Sequence, residues 1–133
     1  MKKRIVFLLV LAFVLSAVGC SQQVQGNQLL LEGNIISVQV SSLPEGYNDS
    51  FHGEDADAIV EYLSNLNLES KFKENPNEYV GMTWEIALKY DNGNVMKMYH
   101  FGNLFIRAEQ GPWYKMNYDE ASGFDALLNA LRK

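Results

Sequence analysis

Few residues in this chain are of types that do chemistry. Met96-x-Met98-x-His100 sets two thioethers and one imidazole at alternate positions, on one side of any strand that carries them. Soft ligands of this kind suit Cu(I), which defines a copper-binding reading. The plainer reading is a Met-bearing sheet face with a satisfied histidine, and no second cluster of such ligands occurs. A second candidate gathers His52 with Glu54, Asp55 and Asp57. It lacks the alternating ligands and the glycine of a calcium loop, and it suits the acidic first turn of a helix instead. Neither candidate is assigned a metal. Catalysis finds no foothold: His52 and His100 are the only histidines, and no nucleophile elbow, zincin motif or phosphate-cradling glycine loop is present. With 16 acidic residues, carboxylate pairs arise by chance. The expectation is a non-enzymatic protein with no catalytic residues and no cofactor.

The first residues read as an address. Lys2-Lys3-Arg4 precedes an apolar run over residues 5–15, and small residues lead to Cys20. A positive start, a short apolar core and a small-residue cleavage zone make an export signal. The run is about half the roughly 20 residues a membrane span needs. Ala17-Val18-Gly19-Cys20 resembles the lipobox of bacterial lipoproteins, with Ala17 where Leu is commoner. The resemblance implies cleavage after residue 19, lipid attachment at Cys20 and acyl chains such as palmitate. It places the protein on the extracytoplasmic face of the cell membrane, anchored to it. Two chains on one diacylglyceryl group suffice for stable anchoring.

Removing residues 1–19 leaves 114 residues with 8 basic and 16 acidic side chains, a net charge of about −8. Such a chain repels nucleic acid, and neither nucleic acid nor an anionic headgroup is an expected ligand. Cys20 is the one cysteine, so no disulfide forms within the chain and packing alone must supply stability. Residues 20–28 are polar after the cysteine and read as a lipidated N-terminus and tether, with a single α+β domain over 29–133.

Ile36, Val38 and Val40 alternate with polar residues and predict a strand over 34–41. Ala56, Ile59, Val60, Leu63 and Leu66 predict a helix over 54–66, and residues 69–81, polar and holding Pro76, read as a loop. Four strands follow as a meander over 82–118, and Ala121, Phe124, Leu127, Leu128 and Leu131 predict a closing helix capped by Asp119 or by Ser122. The expected fold is α+β: an antiparallel meander sheet of about five strands, ordered β-α-β-β-β-β-α, with two helices packed on one face.

Turn lengths set the register. Two-residue loops at Asn92-Gly93 (type I′) and Gly102-Asn103 (type II′), then a three-residue loop over 110–112, pair Ile86 with Tyr99, Tyr99 with Ile106 and Ile106 with Met116. Trp84, Ile86, Leu88, Tyr99, Phe101, Leu104, Ile106, Tyr114, Met116 and Tyr118 then share the core face. Met96, Met98, His100, Phe105 and Trp113 fall on the opposite, open face and are the candidate partner-binding residues. Lys97 on the core face and Arg107 directly opposite Lys115 both count against this register.

The stretches FHGEDADAIVEYLSNL, KYDNGNVMKMYHFGN and GPWYKMNYDEASGFDALL resemble a small uncharacterised domain of lipoproteins in Gram-positive gut bacteria. Similar segments occur outside the membrane in sensor-type metallopeptidases. The resemblance spans residues 35–131 and implies a sensing or binding role, with no activity and no site residues. The expected function is a cell-surface lipoprotein that binds a protein or peptide on the open sheet face or a sheet edge. The alternative is an inhibitor or immunity-type module that blocks an envelope enzyme with its loops at 47–51 or 109–113. A weaker one is a Cu(I)-binding lipoprotein using Met96, Met98 and His100.

Overall fold

The structure, a computed structural model, describes residues 24–44, 46–73, 76 and 81–132. Cys20 and the export leader lie outside the described residues. The chain folds as an α+β protein on a seven-stranded antiparallel sheet. Its strands are β3 (Ile35–Leu43), β4 (Asn48–His52), β5 (Leu68–Phe72), β6 (Thr83–Tyr90), β7 (Val95–Phe101), β8 (Phe105–Ala108) and β9 (Trp113–Met116), in the order β4-β3-β6-β7-β8-β9-β5. A separate hairpin, β1 (Val24–Gln25) and β2 (Gln28–Leu29), precedes them. The helices are α1 (Gly53–Asn65) and a C-terminal pair, α2 (Tyr118–Ala121) and α3 (Gly123–Leu131).

The sheet therefore has seven strands where about five are expected, and the two extra ones are its edges. β4 (NDSFH) buries only Phe51, and β5 (LESKF), read from sequence as loop, buries only Leu68. A strand with one neighbour and polar side chains shows no two-residue alternation, so periodicity is blind to it. β4 and β5 run in the same direction at opposite edges. Six strand spacings make the sheet roughly 29 Å wide. The connection through α1 must cross that width, and 13 residues of helix supply about 20 Å of it.

Ala56, Ile59 and Leu63, one stripe of α1, are buried on the sheet together with Leu66 just past the helix end. Phe124 and Leu128 do the same for α3. Beneath them lie Val38, Val40, Phe51, Ile86, Leu88, Met98, Ile106 and Met116. Ile36, expected inward, is 45% exposed, because a bulge between Ile35 and Ser37 inserts one residue and turns it out. The expected closing helix breaks at Ser122. Asn117, rather than Asp119 or Ser122, caps its first part by accepting from the Glu120 N–H at 3.1 Å. The expected tether over 21–28 is shortened: Val24 to Leu29 form the β1–β2 hairpin, with Gly26 at φ 62 in its turn and Leu29 buried in the core.

The register differs from expectation at every turn of the meander. After β6 the loop has three residues. Gly93 N–H donates to the Tyr90 carbonyl at 3.1 Å, Tyr90 N–H to Asn94 at 2.9 Å, and Gly93 takes φ 88. This is a turn followed by a left-handed glycine, with no two-residue type I′ loop. Leu88 consequently pairs with Met96, Ile86 with Met98 and Trp84 with His100. The next loop is also three residues, because Phe101 pairs with Phe105 and Leu104 stays outside the β7–β8 ladder, after a turn whose central residues, Gly102 and Asn103, take φ 57 and 58. Positive φ at both marks type I′, not II′. The third loop shifts by two, so Ile106 faces Tyr114. The first two shifts cancel beyond β7, and β7 alone is inverted. Met98 and His100 enter the core, while Tyr99 and Phe101 leave it. The expected core residue Tyr118 is 56% exposed at the start of α2. Both objections to the expected register disappear: Lys97 reaches Glu85 at 3.4 Å on the outer face, and Lys115 faces Phe105 rather than Arg107.

The inversion of β7 is testable by neighbouring substitutions. Met98→Ala should cost about 2–5 kcal/mol in urea unfolding. Lys97→Ala, one residue away, should stay within about 0.5 kcal/mol. The opposite ranking would restore the two-residue loop.

Candidate functional site

Two places concentrate polar chemistry, one on each side of the sheet. On the helix-bearing side, β7 delivers His100 into the core, where it is fully buried. The Phe124 ring stacks on it at 4.9 Å, and Tyr62 of α1 stacks on Phe124 at 5.0 Å. The Tyr62 hydroxyl donates to the Ala121 carbonyl at 3.2 Å and lies 3.0 Å from His100 Nε2. The direction of the hydroxyl–Nε2 bond follows the imidazole tautomer: Nε2 donates when it carries the proton and accepts when Nδ1 does. Nδ1 is buried with no side-chain partner among the described residues, and only the residue's own backbone acts on the ring. Burial lowers the His100 pKa to about 4, opposed in part by that backbone bond, so the ring is neutral at pH 7. Burial raises the Tyr62 pKa, and the nearby Asp125 and Glu120 carboxylates raise it further. A phenol held in its protonated form beside a neutral imidazole is a structural tie rather than an activated pair.

Outside this tie, Ala58, Glu61, Tyr62, Asn65, Leu66, Glu120 and Leu127 line an open groove of about 580 Å³ between α1 and the C-terminal helices. Glu120, the carboxylate on its far wall, is already engaged. It accepts from the backbone N–H and the side-chain amide of Asn67 at 2.8 and 2.7 Å, which hold its pKa below the usual range.

The opposite face of the sheet carries the second site. Glu85, Tyr99 and Arg107 are successive cross-strand partners on β6, β7 and β8, and Trp113 pairs with Phe72 beyond them. The Arg107 guanidinium lies between two rings, 5.2 Å from the centre of Tyr99 and 4.8 Å from that of Trp113. Its Nε is buried with no hydrogen-bond partner among the described residues. Below this row Phe101 meets Trp113 at 6.3 Å and Phe105 at 6.4 Å, while Phe72 meets Phe105 at 4.4 Å. The rings of Tyr99, Phe101 and Trp113 stay half-buried. Such cation–ring contacts contribute about 0.5–1 kcal/mol each at an exposed site and fix where the cation sits.

The two sides differ in charge. α1, α2 and α3 carry Glu54, Asp55, Asp57, Glu61, Asp119, Glu120 and Asp125 and no Lys or Arg. The outer face of β6–β9 presents Lys89, Lys97, Arg107 and Lys115 against two carboxylates, Glu85 and Glu109, the latter opposite Lys97 just past β8.

No match is found. Neither a protein-family model nor a curated protein nor a solved structure matches the chain. The expected partner-binding residues separate in the fold. Trp113 is on the outer face, in the aromatic row. Phe105 is on that face too but only 2% exposed. Met98 and His100 are in the core, and Met96 is half-buried on the same side, so the expected open-face Met-Met-His set does not exist as a surface. Among the described residues no group of three His, Cys, Asp or Glu could hold a metal ion, and Nε2 of His100 is taken by Tyr62. Tyr99 and Arg107 complete the outer row. Lys97 on the expected core face and Arg107 opposite Lys115 were the two sequence signals that the register needed changing.

The buried histidine sets a pH dependence. Its folded pKa lies below the unfolded value, so between pH 6.5 and about 4 the unfolded chain binds a proton that the folded chain refuses. Stability should fall as pH drops through that window, by on the order of 3 kcal/mol from this group. Subtracting the stability–pH curve of His100→Gln from that of the wild type isolates the slope; no difference in that window would place His100 in solvent.

Proposed function

We propose that the chain is a non-enzymatic lipoprotein, tethered through Cys20 to the extracytoplasmic face of the cell membrane, whose domain captures a protein or peptide on the outer sheet face. The single observation that supports the reading is Arg107 held between Tyr99 and Trp113. An arginine with a buried, unpartnered Nε and two half-exposed aromatic walls is the composition of a binding hot spot. Sheet strands hold these side chains in place, so little ordering is needed on association. No helix among the described residues is long and apolar enough to cross a membrane, and the anchor in this reading is the acyl chains.

Two measurements test the two halves. Intact-mass analysis of membrane-extracted protein should find a diacylglyceryl group at Cys20 and no leader, and Cys20→Ser should leave the membrane fraction. For the face, the full-length protein should cross-link to a partner that Arg107→Ala combined with Trp113→Ala no longer captures. The thermal unfolding of that double variant should remain one cooperative transition at a lower Tm, because the half-buried Trp113 ring is lost along with cation–ring contacts worth about 0.5–1 kcal/mol each. Undiminished capture would move attention to the groove between the helices.

A further inference from the structure

We infer that the occupant of the outer face is an acidic peptide segment of a partner protein, with carboxylates interspersed among apolar or aromatic side chains. The inference rests on the binding reading above and specifies its ligand. Charge is the first argument. The chain after its leader carries 8 basic and 16 acidic residues, yet four of those cations share the outer face of β6–β9 with two carboxylates, Glu85, which Lys97 engages, and Glu109, opposite Lys97 just past β8. The three helices hold seven carboxylates, and the described cation at their ends, Arg132, lies over the Tyr47 ring. An acidic segment is repelled from the helical side and drawn to the sheet side, so the field both selects and orients it.

Arg107 supplies the second argument. Rings on two sides shield its guanidinium from water, which strengthens whatever charge pairs with it. Its Nε meets no acceptor among the described residues, and a carboxylate presents two oxygens to the guanidinium fork. Tyr99, Phe101 and Trp113 then offer apolar contact to the neighbouring side chains of a peptide.

Other anions fit less well. A nucleic acid strand carries charge along its whole length and would run from four cations onto the acidic remainder of the chain. A membrane surface is disfavoured by position. The β1–β2 hairpin packs against α1, with Leu29 in the core, so the chain enters the domain from the helix-bearing side, away from the outer face. The acidic helices of a second copy would dock head-to-tail, and such a contact propagates without closing.

The test selects a phage-displayed random peptide library on the full-length protein in neutral-detergent micelles, with Arg107→Met as the counter-selection. Recovered peptides should be enriched in Asp and Glu beside aromatic or aliphatic residues. A synthetic copy of the best peptide should bind with raised salt sensitivity and weaken by about tenfold or more when Gln replaces its Glu residues, or when Arg107→Met replaces the arginine. Circular dichroism checks that the variant folds, and Arg107→Lys, which keeps the charge and loses the fork, should fall between. Enrichment of neutral or basic peptides that still depends on Arg107 and Trp113 overturns the acidic ligand and keeps the face. Recovery of nothing that depends on either residue overturns the face itself. Arg107-dependent binding to phosphatidylglycerol vesicles or to an oligonucleotide in place of peptide overturns the assignment, as does low-salt self-association that Arg107→Met abolishes.

Discussion

Gly93 takes a left-handed backbone, φ 88, that a side chain resists, and through it the Asp91-Asn92-Gly93 loop holds three residues instead of two. Because side chains alternate along a strand, that single residue decides which half of β7 faces the helices. With three, Met98 and His100 point into the core and Lys97, Tyr99 and Phe101 point away from it. The inward half supplies the polar tie to α1, and the outward half supplies one ring of the arginine cradle and one of the four cations. Both candidate sites depend on the same turn. The place of Leu104 outside the β7–β8 ladder confines the inversion to one strand, so β8 keeps Ile106 inward and Arg107 outward.

A histidine in the centre of a core has to be accommodated, and three elements do it together. β7 carries the ring, α1 brings the Tyr62 hydroxyl to Nε2, and the last turn of α2 offers the Ala121 carbonyl that orients that hydroxyl. Phe124 fills the space between the two rings from α3. On the same side of the sheet the Trp84 indole N–H donates to Asp125 at 3.1 Å, which ties β6 to the helix that carries Phe124. These contacts fix how the C-terminal helices sit. They bind together elements separated by nearly half the chain.

Charge then follows from layering. Helix surfaces hold the carboxylates, among them the first-turn residues Glu54 and Asp55 that favour the start of α1. Strand surfaces hold most of the cations, interleaved with rings. A chain with a net charge of −5 thereby presents a basic, aromatic face. The overall charge governs what is repelled from the whole molecule at long range, whereas the local distribution governs what can settle at one place on it.

Much of this was legible in the residues alone. The stripe on α1, the strand around Val38 and Val40, the meander and the apolar side of the last helix all announce themselves through period and punctuation, because each buries one face against the rest. Edge strands β4 and β5 did not, since a strand with polar side chains and one neighbour leaves no period to read. Arg107 and Trp113 were placeable on the open face from alternation, while Tyr99 required the true register. Turn signals said where the chain reverses, but a loop of two or three residues is chosen by how the finished strands pair and pack. The core accepts Met98 and His100 and rejects Lys97, and that preference exists only once helices cover the sheet. Sequence therefore determined the elements and their apolar sides, and tertiary packing decided the face of β7, the edges of the sheet and hence the site.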